Sequence, residues 1–461
     1  MAKVRLFRWA LLALPICLSA WAKEDAEDER WNAYGQATYI ANKHEAFPAA
    51  YTNLNGSPNS LLAQKERSWS ATATAYLGVK PWNGGEIFFV PEMIAQVAFS
   101  GLHGLGGSVQ NGELEKTGFS DPIFYRSRLF LRQTWNLAGD TERVDSGPMQ
   151  LAHTVSSRRF VLTAGNFAII DIFDRNQYAG DIRQQFLSMN FATYAAYDFG
   201  ADARGYSWGV AGEYFADEWV FRAGRFLVPE LPNVLHLSHQ PFKYYADQVE
   251  IERGHKWGGR DGKVQVLFYR NVALMGRFDD AMAAFTADPT KNAANCTEYN
   301  YNSANSTAPD LCYVRGRHVK YGLGFSLEQS VSNDAGINLR VMKSDGQSEV
   351  DAFESSDASA ALALVWKGTR WRRPQDTIGL GIAQNWISSA HAKYLAMGGV
   401  DAFVGDGALR KAPERAFEGY YNIGVTKFAW LTLDYQRVAN PAYNSDRGPV
   451  NIYGFRLHAE F

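Results

Sequence analysis

The sequence predicts an all-β chain: a sixteen-stranded antiparallel transmembrane β-barrel with long extracellular loops and short periplasmic turns. Three observations lead there. Period-two alternation recurs along the chain. In "HVKYGLGFSLEQ", Val319, Tyr321, Leu323, Phe325 and Leu327 face one way, and His318, Lys320, Gly322, Gly324, Ser326 and Glu328 face the other. The connections between such segments are alternately short and long. Beyond the first 22 residues, no run of about 18 apolar residues could form a spanning helix. A membrane-spanning chain must then close its strands into a barrel, because only closure pairs every backbone N–H and C=O.

The elements follow in order. "MAKVRLFRWALLALPICLSAWA" has a basic start, a short apolar stretch and a small-x-small end at Ala20-Trp21-Ala22. Residues 1–22 are expected as a signal peptide, with 23–461 as the barrel. "KEDAEDER" is then a solvated mature terminus. Strands are predicted at 31–41, 68–79, 85–98, 124–136, 158–167, 204–216, 218–226 and 245–254. The second half adds 262–272, 316–329, 336–343, 357–367, 376–387, 417–427, 430–438 and 450–461. With both termini periplasmic, the periplasmic connections include "KPWNGG", "HKWGGRD", "SVSNDA" and "KFA", all short, with 137–157 as a long exception. The others, such as 168–203 and 388–416, are mostly long. The final strand "VNIYGFRLHAEF" alternates to the end, placing Phe461, Ala459, Leu457, Phe455 and Tyr453 on one face.

Composition narrows the function classes. Net charge is −2, with no basic excess for nucleic acid. The 28 Phe, 23 Tyr and 13 Trp suit a membrane-facing wall, and Trp69, Trp135, Trp219, Trp366, Trp386, Trp430 and Tyr453 are read as an interfacial girdle. Cys17 leaves with the signal, so Cys296 and Cys312 are expected to form one disulfide across a polar loop. Histidines are dispersed, without HExxH, CxxC or GxSxG, so neither a metal, a cofactor nor an enzyme activity is predicted. "GLHGLGGS" at 101–108 lacks the lysine of a phosphate loop and is read as a flexible extracellular loop.

Six stretches carry a family resemblance: "YLGVKPWNGGEIFFVPE", "YRSRLFLRQTW", "RNQYAGDIRQQFLSMNF", "ADARGYSWG", "AGRFLVPE" and "NPAYNSDRGPVNIYGFRLHAEF". In this order they resemble the carbohydrate-selective outer-membrane porin family (OprB-type) over essentially the whole mature length. The resemblance implies a sixteen-stranded barrel that passes neutral sugars by facilitated diffusion. It departs in "AGDIRQQF", where the family favours a proline after the aspartate.

The strand at 124–136 places Arg126, Arg128, Phe130 and Arg132 opposite Leu129, Leu131 and Trp135. One arginine facing lipid at mid-membrane costs about 2–4 kcal/mol, so three would cost about 6–12, as much as a domain's stability. They are therefore assigned to the lumen. They are read either as forks of donors for sugar hydroxyls or as partners of Glu92, Glu250 and Glu252, and the two roles are compatible. Loop 168–203 is expected to fold inward as a constriction carrying Tyr178, Asp181, Arg183, Gln184 and Phe186, with a surface position as the alternative. The expected function is passive diffusion of monosaccharides such as glucose through an arginine-lined outer-membrane channel. The alternatives are a general or anion-preferring porin and, from another class, a barrel enzyme or adhesin. Expected partners are sugars in transit, outer-membrane lipids and the barrel-assembly machinery, engaged through the strand ending at Phe461. A monomer is favoured over a trimer.

Overall fold

The computed structural model describes residues 28–289 and 307–461. Among these, sixteen strands close into one antiparallel barrel, each paired with its neighbours in sequence and β1 paired with β16. The first half comprises β1 (Trp31–His44), β2 (Glu66–Trp82), β3 (Gly85–Val97), β4 (Ile123–Val144), β5 (His153–Phe167), β6 (Ser207–Ala216), β7 (Trp219–Phe226) and β8 (Tyr245–Trp257). The second comprises β9 (Arg260–Met275), β10 (Gly316–Ser330), β11 (Ala335–Ser344), β12 (Ala358–Lys367), β13 (Thr377–Trp386), β14 (Glu414–Thr426), β15 (Ala429–Ala439) and β16 (Val450–Glu460). The predicted strand count, order and closure all hold. The long connection expected at 137–157 is largely strand, since β4 runs on to Val144 and β5 begins at His153, leaving a turn at 145–152.

Alternation produces two walls. Leu323, Ile382, Leu433 and Leu457 point outward and are about half exposed, as lipid-facing side chains must be. Inward, Gln36 donates to Thr74 at 2.7 Å and Thr38 to Gln36 at 2.6 Å, polar pairs that line the inner face. The seam is sealed at Gly35, whose N–H and C=O bond the Phe461 backbone at 2.7 and 3.0 Å. The Phe461 ring lies over Gly35, where a side chain would push it aside.

The two ends of the outer wall differ. Trp31, Trp135 and Trp219 are exposed at the periplasmic end. At the extracellular strand ends the exposed outward residues include Arg67, Arg317, Lys343, Arg415 and Arg437. Trp430 does not join the girdle: it shares the inward face of Thr432 and Asp434 and lies 5.6 Å from the inward His458 ring.

The barrel is not hollow, because several extracellular connections fold into it. The 101–108 segment is one of them, contrary to the flexible loop expected. Gly104 donates to the Phe403 carbonyl at 2.7 Å and Gly106 to Glu414 at 2.9 Å. The glycines serve close approach: a Cβ at Gly104 would meet the Leu61 backbone, and one at Gly106 the Tyr443 ring. Cys312 is disulfide-bonded, whereas Cys296 and the predicted signal peptide lie outside the described residues.

Candidate functional site

The 168–206 connection runs through the interior, where its backbone polar groups need partners. The barrel wall supplies them. Glu250 on β8 accepts from Asp174 N at 2.8 Å, and Glu328 on β10 accepts from Gln177 N at 2.9 Å. Glu418 on β14 accepts from Leu187 N and Ser188 N at 2.6 and 3.1 Å. Arg456 on β16 donates to the carbonyls of Ile182 and Gln185, both at 2.8 Å. Arg340 on β11 reaches Asp174 Oδ1 at 3.0 Å and the Phe191 carbonyl.

These clamps present Arg183 to the opposite wall. Its guanidinium bonds Glu113 Oε1 at 2.8 Å, Glu92 Oε2 at 2.8 Å and the Tyr76 hydroxyl at 2.9 Å. Lys116 lies 3.0 Å from both carboxylates. Glu92 also accepts from Thr74 at 2.6 Å and from the Tyr125 hydroxyl. Beside this cluster Arg128 grips Asp171 with two bonds of 2.7 Å and sits 5.1 Å from the Tyr206 ring. Arg204 stacks on Tyr125 at 4.7 Å.

Three cavities follow one another through the barrel. The extracellular one is lined by His103, Asn233 and Phe403, and shares Glu115 and Phe353 with the central one. The central cavity is lined by Tyr76, Lys116, Arg128, Arg183, Arg204 and Tyr206. It shares Asp181 with a periplasmic cavity lined by Tyr178, Gln184 and Trp430. Cations and carboxylates of the central cavity alternate, so neither sign dominates.

The sequence-predicted residues divide between the two walls. Arg128, Glu92, Arg183 and Asp181 meet at the central cavity. Arg132 lies nearer the periplasmic mouth, donating to the Met149 carbonyl at 2.9 Å and facing Glu86 at 3.7 Å. Arg126 is on the outer wall, its guanidinium 5.1 Å from the exposed Trp208 ring. A bulge reverses the alternation: Val90 pairs with Arg128 and the next residue, Pro91, with Arg126, so Ser127 is extra. Pro91 cannot donate to the ladder, and Ser127 Oγ satisfies the Val90 carbonyl at 2.8 Å. Glu250 and Glu252 do not pair with the β4 arginines. Both are held by Arg222, at 2.7 and 2.9 Å. Phe186 is no platform for a sugar ring. It is fully buried against Phe191 and Tyr420 and fastens the segment to the wall. Tyr178 wedges over Gly336, and Gln184 donates to Glu460 at 2.7 Å.

Residues 82–461 match the family model described as carbohydrate-selective porin, OprB family. The chain belongs to that family. It is thus a channel of the outer membrane and not an enzyme. No curated protein matches it. Among solved structures it is similar to OprB of Pseudomonas putida at high pH, with TM-score 0.64, 13% identity and 94% of each chain covered. The outer-membrane channel DcaP of Acinetobacter baumannii gives TM-score 0.49 at 10% identity, over 96% of this chain and all of that one. At these identities the first likeness concerns the fold alone.

In this porin, sequence reasoning missed Glu113, Lys116, Asp171, Arg204 and Tyr206. Arg204 and Tyr206 stand within "ADARGYSWG", a stretch that bore the resemblance without any role assigned. Glu115, between the extracellular and central cavities, and Glu354 of the 345–357 loop are neighbouring buried carboxyls. Two neighbouring carboxyls in such a buried place resist ionising together. Burial raises Glu115 to about 8 from the usual 4.5, and burial with the Glu115 charge raises Glu354 as well. The unfolded chain therefore releases these protons earlier, so stability is greatest at low pH and falls as pH climbs from about 4.5 to about 8. The urea midpoint should decline over that window in the native porin and flatten in Glu115→Gln. An equally steep decline in the variant would remove this pair as the cause.

Proposed function

We propose that this porin conducts monosaccharides such as glucose by facilitated diffusion through a water-filled constriction walled by Arg128, Arg183 and Arg204. The carrying observation is the central cavity, where guanidinium forks and carboxylates alternate around the Tyr76 and Tyr206 rings. Donor forks and carboxylate acceptors match successive hydroxyls of a pyranose, while the rings cover its apolar face. Each contact is weak and exchangeable with water, so a sugar is admitted and released. The general or anion-preferring porin is less well supported, because each of Arg128, Lys116 and Arg183 has a carboxylate at 3.0 Å or less. The single barrel contains the whole path, which favours a monomer as the conducting unit.

Single channels in a planar bilayer test the reading. Glucose should block ion current in a concentration-dependent manner, and Arg128→Ala should weaken that block about tenfold, the worth of one charge-assisted contact. Arg126→Ala, on the outer wall, should leave it unchanged. Open current with no sugar block would favour the general porin.

A further inference from the structure

We propose that the extracellular rim of the outer wall, from β7 to β11, is a docking surface for phosphate-bearing lipids of the outer leaflet. Arg225, Asp247 and Arg270 stand in one row across β7, β8 and β9. Their strands' outward neighbours Val249, Ile251 and Phe268 are exposed to lipid, so the row tops an apolar wall. Asp247 bonds Arg225 at 2.7 Å and Arg270 at 2.5 Å, and the Tyr245 ring lies 3.9 Å from one guanidinium and 5.4 Å from the other. One carboxylate and one ring thus hold two guanidinium forks in place while neutralising only one charge. Both arginines stay over two-fifths exposed.

The neighbouring strands extend the charge. Beyond the row, Arg317 on β10 donates to the Lys243 carbonyl at 3.1 Å, and the exposed Lys243 ammonium lies 4.9 Å from the Tyr244 ring. Neither Arg317 nor exposed Lys343 on β11 has a carboxylate partner among the described residues. Other acids of this quarter lie in the connections above: Glu230 and Asp279 are exposed, Asp280 faces Arg277 at 3.8 Å, and Asp345 follows the end of β11.

An occupant must satisfy two adjacent demands, an apolar wall below and a row of guanidinium forks above. An amphiphile with an anionic head does so, and phosphate oxygens fit paired arginine forks. A soluble acidic protein would leave the apolar wall unmatched. At the periplasmic end the outward residues include exposed Trp31, Trp135 and Trp219, with Arg253 of β8 resting 5.1 Å from the Trp219 ring.

The test compares full-length porin in nanodiscs of phosphatidylcholine with and without phosphatidic acid, counting lipids retained on the intact chain by mass spectrometry. Phosphatidic acid should be retained over phosphatidylcholine, and Arg225→Gln with Arg270→Gln should reduce its retention about tenfold or more. Asp247→Asn, which removes only the competing carboxylate, should increase retention, an outcome misfolding does not produce. Glucose block should be unchanged in both variants. Equal retention of the two lipids, or indifference to these substitutions, would overturn the proposal. So would competition by inorganic phosphate at the same concentration as the lipid, since that would mark a free-anion site.

Discussion

Replacing Arg183 by alanine is expected to weaken glucose block by at least tenfold, shift the channel towards cations and lower stability by about 3–5 kcal/mol, the cost of breaking a buried ion pair. Its guanidinium is the shared donor of Glu92 and Glu113, whose side chains are 1% exposed. Without it the two carboxylates keep Lys116 as their one cation. Burial by itself would push the Glu113 carboxyl up; Arg183 and Lys116 outweigh it and hold Glu113 below the usual carboxylate range. Loss of Arg183 removes much of that compensation and leaves the constriction with excess negative charge. The reversal potential in a salt gradient reads the charge, and urea unfolding reads the stability. Arg183→Lys separates the two roles: a single ammonium restores charge balance but cannot reach Glu92, Glu113 and Tyr76 together. Selectivity should therefore return while sugar block stays weak. Normal sugar block in Arg183→Ala would show that sugars are not recognised at this cluster.

The barrel was readable because each strand must solve the same problem at every second residue. "HVKYGLGFSLEQ" puts Val319, Tyr321, Leu323 and Phe325 outside because the bilayer tolerates nothing else there, and all four are exposed in the structure. The same reasoning fails wherever one residue is inserted. Arg126 and Arg128 share a parity in the sequence, but the bulge at Ser127 sends them to opposite walls. The cue lay on the partner strand, in Pro91, whose register with β4 is fixed only by closure. The constriction depends on contacts distant in sequence: Arg183 meets Glu92 and Glu113, and Phe186 meets Tyr420. Nothing local distinguishes Phe186, which packs into the wall, from Tyr206, which faces the cavity. "GLHGLGGS" looked mobile because its glycines permit many conformations; in the fold they permit close passage beside Leu61 and Tyr443.

The second large effect concerns what holds the inner segment in place. Arg340→Met should destabilise the porin by about 3–5 kcal/mol, whereas Arg340→Met with Asp174→Asn should recover most of that loss. Both side chains of this pair are 1% exposed, so the single substitution leaves a buried carboxylate with Thr193 Oγ1 at 2.9 Å as its side-chain donor. The second substitution removes that charge, and asparagine tolerates the positive φ of 53° at position 174. Function should follow the same order. The Asp174 turn and Phe191 flank the stretch that carries Arg183, and Arg340 ties both to β11. With that tie cut, Arg183 samples positions away from Glu92, so single-channel current should become larger and noisier in Arg340→Met and quieter in the double variant. A double-mutant cycle gives the coupling directly. Coupling below about 1 kcal/mol, with quiet current in the single variant, would mean that Glu418 and Arg456 suffice to fix the segment, and the constriction would then be held from β14 and β16 rather than from β11.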